Sequence, residues 1–383
     1  MPILETGFND PLWTVAVPEQ RTPIHSPTVS DVARRACVSR ATVSRVLNRY
    51  PHVRSEVRAR VERAMAALAY RPDAVARSLA RRETRTLGLV VTDITNPFYA
   101  ETAAAIVKTA RTHGYTVILC DTDNIPELQA EYIEVLRQRR VDGIILGSVF
   151  LHDPAVERLI DSGMPCMLYN RRLRSGRGNY VVLDNLRAGR ELTRHLLGLG
   201  HRFIGFIGTL AGLSSAAERR RGYRAALREA GVRPQPQFVH MRGVTPELAR
   251  EAAREILALP DRPTAIVASS DRVALSVIEI AEEMGLSVPG DLAVVGVDNI
   301  PMAAHQAIQL TTVDQHLAEM GRLAVEGILD VIRDPERYRR SPLQQVLAPA
   351  LIVRRTCGAL DPGAALRGRR LRLPAVHKGG SRG

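Results

Sequence analysis

The chain has 383 residues, 45% of them hydrophobic and 24% charged, a length that fits two or three domains and a composition that matches a globular protein and excludes a disordered one. Its four cysteines (Cys37, Cys120, Cys166 and Cys357) show no CxxC or Cys/His spacing, which argues against a disulfide framework or a metal site, and no apolar run reaches the roughly 18 residues of a membrane span. The formal charge of +13 is unevenly placed: residues 28–85 hold fourteen Arg against five acidic residues, residues 359–383 hold six basic residues against Asp361, and the long middle is nearly neutral.

Residues 1–27 carry Pro2, Pro11, Pro18, Pro23 and Pro27 without periodicity and read as a disordered leader. Glu5 and Asp10 interrupt it, so no export signal is expected and the chain is expected to stay in the cytoplasm, with no membrane partner. Residues 28–80 follow a helical pattern with breaks near 37–39, 49–54 and 71–72, which predicts a small all-α domain. Ser30 is the expected N-cap of its first helix, with Asp31 near the positive end of the dipole and Val32, Ala33 and Ala36 facing inward. Cys37-Val38-Ser39 is the expected turn, and Ser39 caps a second helix whose inward residues are Val43, Val46 and Leu47.

That spacing leaves Arg40, Ala41, Thr42, Ser44, Arg45 and Asn48 on the opposite surface, toward the amino end of the second helix. Such an edge suits the major groove of double-stranded DNA. Arginine makes two parallel hydrogen bonds to guanine, alanine touches a thymine methyl, and Ser, Thr and Asn reach phosphate oxygens. An arginine-rich head on a near-neutral trunk is also the charge distribution of a polyanion-binding module.

From Thr86 onward, short apolar runs such as LGLVV (87–91), GIILG (143–147), FIGFIG (203–208) and LAVVGVD (292–298) alternate with amphipathic stretches such as 127–139, 186–198 and 271–285. This alternation predicts right-handed βαβ units in two doubly wound parallel sheets, with ligands at the carboxyl ends of strands. VLAPALIV (346–353) reads as the last strand, and residues 359–383 as a flexible basic tail.

SDVARRACVSRATVSRVLN, followed by VRSEVRARVERAMAALAYRPDAVARSLA (53–80), resembles the lactose/galactose repressor family of bacterial transcription regulators. The likeness continues through TLGLVVTDITNPFYAE (86–101), LDNLRAGRELTRHLLGLGHRFIGFIG (183–208), RPTAIVASSDRVALS (262–276) and LTTVDQ (310–315), and covers roughly residues 28–355. It implies a helix-turn-helix head over 28–72, a hinge helix and linker over 73–85, and over 86–358 a two-lobed, periplasmic-binding-protein-like domain for effector binding and dimerisation. By position, Arg40, Ala41 and Arg45 match the family's base-reading residues. Thr28, Ser39, Thr42, Ser44, Asn48 and His52 match those that hold the DNA backbone, and Leu79 matches a wedge that opens a central base step. The implied effector pocket comprises Phe98, Tyr99, Asn170, Arg171, Asp184, Arg219, Ser270, Asp271 and Asp298. Asp184 and Asp271 precede helices, where a cap serves equally well. A homodimer on a palindromic operator, and a sugar or related metabolite in the cleft, complete the expectation.

Several positions depart from that pattern. Cys37 stands where a glycine is usual in the turn, Asp73 where an asparagine is usual, Val244 and Val297 where aromatics are common, and Ser270 where an asparagine commonly precedes Asp271. An enzyme is the first rival reading, but GLGHRFIG (198–205) precedes a strand instead of following one, and no GxSxG, P-loop or HExxH is present. The second rival, an exported sugar receptor, leaves the arginine-rich head without a purpose. No catalytic residue, cofactor or metal is expected.

Overall fold

A computed structural model describes residues 27–48, 50–70, 83–243 and 245–359, which fall into two units, residues 1–83 and 84–383. The expected hinge helix with Leu79, the position of Val244, and nearly all of the leader and tail lie outside the described residues.

The first unit holds α1 (Val29–Arg35), α2 (Arg40–Leu47) and α3 (Ser55–Ala67). Thr28, not Ser30, caps α1. Its hydroxyl accepts from the Asp31 N–H at 3.3 Å while the Asp31 carboxylate accepts from the Thr28 N–H at 2.9 Å. This reciprocal box satisfies two orphan donors at once and starts the helix two residues earlier than a Ser30 cap would. Ser39 caps α2 as its position predicts, accepting from the Thr42 N–H at 3.1 Å. Between the helices Cys37 lies at φ 51°, the left-handed conformation that closes the turn and lets the Val38 N–H reach the Ala33 carbonyl at 3.0 Å. Val32, Ala33 and Ala36 then pack on Val43 and Val46, and α3 covers them with Val61 and Ala64, while Leu47 is half-buried at the margin.

The second unit has two lobes. The first begins with β1 (Thr86–Val91), α4 (Pro97–Thr112), β2 (Thr116–Asp121), α5 (Pro126–Gln138), β3 (Gly143–Leu146), α6 (Pro154–Asp161), β4 (Cys166–Tyr169) and β5 (Asn179–Leu183). The chain then crosses to α7 (Asn185–Gly198), β6 (Ile204–Gly208), α8 (Ser214–Glu229), β7 (Val239–Met241), α9 (Pro246–Leu257), β8 (Ala265–Ala268), α10 (Asp271–Glu283), β9 (Ala293–Asp298) and β10 (Thr311–Asp314). It returns for α11 (Leu317–Arg333), α12 (Pro335–Arg340) and β11 (Gln344–Leu347), then ends in the second lobe with β12 (Ala350–Ile352).

The sheets run β11-β5-β4-β3-β1-β2 and β12-β10-β9-β8-β6-β7, parallel throughout except for the antiparallel β10–β12 pair. Buried clusters lie on both faces of each sheet, as a doubly wound fold requires. VLAPALIV is therefore not one strand. Pro349 has no N–H to give a ladder, so β11 stops at Leu347 and β12 starts at Ala350 in the other sheet. The three crossings, at Asp184, Gln315–His316 and Ala348–Pro349, lie side by side: the Asp184 N–H donates to the Leu347 carbonyl at 2.9 Å, and His316 Nε2 is 3.2 Å from the Ala348 carbonyl.

Candidate functional site

On α2 the apolar face is spent on the core, so Arg40, Ala41, Ser44, Arg45 and Asn48 are exposed and Thr42 is half-buried. Local hydrogen bonds set their posture. The Ser39 and Thr42 hydroxyls are 2.9 Å apart, and Asn48 Nδ2 donates to the Ser44 carbonyl at 2.9 Å. Thr28 is occupied in its cap box, donating to Asp31 Oδ2 at 2.7 Å. A concavity of about 210 Å³ beside α2 is lined by Arg45, Thr42 and His52 together with Tyr50 and Arg54. Tyr50 is 52% exposed, edge-on to His52 at 5.9 Å between ring centroids. Neither Tyr50 nor Arg54 was singled out in the sequence. The available signal was an aromatic just past α2 that no inward helical position claims.

In the second unit a cavity of about 60 Å³ lies between the lobes, at the carboxyl ends of β1, β4, β6, β8 and β9. It brings together Phe98, Tyr99, Asn170 and Arg171 from the first lobe with Arg219, Ser270 and Asp298 from the second. Asn96, Thr209, Ser215, Ser269 and Gln315 also line it and were not anticipated, although Asn96 and Gln315 sit inside the quoted TNPFYAE and LTTVDQ segments. Asp184 and Asp271 are not among the lining residues. Asp184 caps α7 through the Arg187 N–H at 3.0 Å, and Asp271 is fully buried with one oxygen accepting from Thr312 Oγ1 at 2.5 Å and the other from the Ile300 N–H at 3.0 Å. Ser270 is the N-cap of α10, its hydroxyl accepting from the Val273 N–H at 3.3 Å.

Arg219 is held from several sides. Its Nε donates to Asn185 Oδ1 at 2.8 Å, its Nη1 donates to the Ser269 carbonyl, and it lies 4.0 Å from Asp298. Two glycines make this possible: a Cβ at Gly189 would stand 2.1 Å from the Arg219 carbonyl oxygen, and one at Gly222 would stand 2.1 Å from the Leu186 carbonyl oxygen. The backbones of α7 and α8 therefore touch, which sets Arg219 at the cleft. Opposite, Tyr99 stands edge-on to Phe98 at 4.9 Å and its hydroxyl accepts from Asn170 Nδ2 at 3.3 Å. Asn170 and Asp298 adopt φ of 65° and 136°, unfavourable backbone conformations at the strand ends that aim both side chains.

The electrostatics of the cleft are unbalanced. Burial, then the neighbouring Asp271, push the Asp298 carboxyl well above the usual carboxylate range, with Arg219 opposing. Burial likewise raises Asp271 and lowers Arg219. Arg219 Nη2, Arg171 Nε and Nη1, and Gln315 Oε1 are buried without a hydrogen-bond partner. Unmet donors and acceptors in a cleft mark a place for polar groups of a ligand. The lobes are clasped around the cavity by an Asp93–Arg272 ion pair, an Arg172–Glu218 ion pair at 2.7 Å, and the Leu151 N–H donating to the Gly212 carbonyl at 2.8 Å.

Comparison with known proteins follows the same division. Residues 28–73 match the model for bacterial regulatory proteins of the lacI family, and residues 84–350 match the model for periplasmic binding proteins and the sugar binding domain of the LacI family. The HTH-type transcriptional repressor PurR of Photobacterium profundum is 33% identical over 335 residues, covering 87% of this chain and 99% of its own. Among solved structures, the lac repressor dimer bound to operator and the anti-inducer ONPF superposes with a TM-score of 0.77 at 26% identity, over 87% of this chain and 99% of the other. The complex of the transcriptional regulator CelR with cellobiose gives 0.64 at 32% identity, over 86% and 99%.

Proposed function

The chain belongs to the lacI family of bacterial regulatory proteins, and from that premise we propose that it binds an inverted-repeat operator as a homodimer and answers to a sugar or related metabolite held between its lobes. It is a helix-turn-helix DNA-binding transcriptional regulator with a small-molecule effector domain. The observation that carries the finer reading is the partition of α2, which buries Val43 and Val46 and leaves Arg40 and Ala41 exposed in its first turn and Arg45 exposed in its last. In this reading those three residues face base edges. Thr28, Ser39, Thr42, Ser44, Asn48 and His52 position the phosphates, and Leu79 rests on the family resemblance alone. One head offers too few contacts for a specific site, whereas two related by a twofold axis read both halves of a palindrome. The lac repressor in the neighbouring structure is a dimer bound to operator.

Within the cleft, Arg171 and Arg219 donate to ligand oxygens, Asp298 and Gln315 accept from hydroxyls, and Phe98 and Tyr99 supply a flat wall. CelR, which takes cellobiose, supports the sugar class. The cavity of about 60 Å³ is far below the ~300 Å³ of ordinary small-molecule sites, so the ligand enters after the clasps open. Its differential affinity for open and closed lobes then shifts DNA affinity in one direction or the other. Nothing in this function requires catalysis, and the site of action is the cytoplasm, on the nucleoid. The test is to incubate the purified chain with random labelled duplexes, recover the bound fraction and sequence it. An enriched inverted repeat is expected, and recovery with no enrichment refutes the operator assignment.

A further inference from the structure

Two arginine-rich segments meet across the mouth of the cleft. The first lobe contributes Asn170-Arg171-Arg172-Leu173-Arg174 and the second Glu218-Arg219-Arg220-Arg221. Outside the Arg172–Glu218 clasp they enclose a concavity of about 280 Å³ whose charged lining is Arg172, Arg174, Arg221 and Glu218. Glu218 is the one carboxylate in that lining and is already taken by Arg172 at 2.7 Å. Among the described residues, neither Arg174 nor Arg221 makes an ion pair. Deeper in, Arg171 is only 7% exposed and lies 5.9 Å over the Tyr99 ring, yet its Nε and Nη1 have no hydrogen-bond partner. The first turn of α8 also opens here, with no side-chain cap from Leu213 and no acidic residue, so its free N–H groups add positive potential.

These features share one electrostatic consequence. The closed lobes hold these cationic segments side by side, and their repulsion, screened by water at the exposed Arg174 and Arg221, has no free carboxylate in the lining to offset it. A neutral sugar can satisfy the Arg171 N–H groups with hydroxyls, but it leaves Arg174 and Arg221 without counter-charge. An acidic group at the mouth removes the repulsion and ties both lobes with charge-assisted hydrogen bonds.

Resting on the reading of the cleft as the effector site, we propose that the effector carries an acidic group, phosphate or carboxylate, seated between Arg172, Arg174 and Arg221 while its polar body reaches Arg171. The anion adds a charge-assisted tie to the clasps that already hold the lobes closed.

The test uses the full-length protein in thermal unfolding and calorimetric titration at constant ionic strength. Sodium chloride is replaced by inorganic phosphate in one arm and by acetate in another, to separate the two acids. Glucose is then compared with glucose 6-phosphate and gluconate. The same titrations are run on Arg174→Gln/Arg221→Gln and on Arg174→Lys/Arg221→Lys, with circular dichroism to verify folding. Both residues are exposed, so neither pair of substitutions disturbs the core. The expected result is stabilisation by at least one of the two acids beyond chloride. The glutamine pair should weaken that binding about tenfold or more, and the lysine pair should restore part of it. Arginines of the head bind anions equally in every variant, so the difference between variants reports the mouth. Equal behaviour of phosphate, acetate and chloride, or a glutamine variant that titrates like the parent, overturns the proposal. DNA selection without added anion reads the regulator assignment separately, so one failure is not mistaken for the other.

Discussion

At Arg45 the issue is whether an exposed arginine reads a base or merely adds charge. If it reads one, Arg45→Ala should lower the preference for the selected duplex over a scrambled one by about 1–3 kcal/mol, whereas loss of a phosphate contact weakens both duplexes alike. Competition titrations with the two duplexes decide between these outcomes. Cys37 at φ 51° carries a side chain where glycine is at ease, so Cys37→Gly should stabilise the head by roughly 1 kcal/mol, read as slower amide exchange in α1 and α2. Asp298 gives a pH signature. Its folded value lies above its ordinary one, so its contribution to stability is complete at low pH and is lost as pH rises from the ordinary carboxylate range through the folded value. Between about pH 5 and about pH 8 the ligand-free parent should therefore lose stability relative to Asp298→Asn, and parallel melting curves would contradict this. Individual residues were legible where their partners are sequence neighbours, as with the Ser39 cap and the exposed edge of α2. Ser30 was misassigned because Thr28 and Asp31 form the tighter reciprocal pair. The engagement of Asp271 was hidden because its partners, Ile300 and Thr312, arrive from the turn after β9 and from β10, across long stretches of chain.

Among the elements, the α7–α8 contact shows how packing places a functional side chain. Glycine to alanine in a helix ordinarily gains up to ~1 kcal/mol from propensity. At Gly189 the added methyl meets the Arg219 backbone at 2.1 Å, and overpacking of this kind costs about 1–3 kcal/mol, so the sign reverses. Gly189→Ala should destabilise the second unit and weaken the effector response, because α8 must move and carry Arg219 with it. Gly198→Ala, on the same helix with nothing within 4 Å of the new methyl, should be neutral or stabilising; thermal unfolding of both variants checks the contrast. The alternation of apolar runs and amphipathic stretches disclosed the two parallel sheets, since buried strands and covering helices differ in period. It did not disclose the three crossings, which depend on which sheet each strand joins. VLAPALIV reads as one apolar run until Pro349 is seen to divide it between sheets.

For the whole molecule, the uneven charge sets the behaviour on DNA. Nearly all the basic residues are arginine, with Lys108 and Lys378 the exceptions, and the excess of positive over negative charge is concentrated at residues 28–85. A dimer that neutralises about six to ten phosphates should lose roughly 10³–10⁵ in affinity between about 50 mM and 200 mM salt. A salt-independent affinity would mean that the arginines of the head do not meet the phosphate backbone. The most direct measurement is a titration of the chain, at one fixed salt concentration, with the selected inverted-repeat duplex and with the same bases in scrambled order. Binding tighter by about 10³ or more is expected for the inverted repeat, with two chains per duplex. Equal affinity for both duplexes would contradict it.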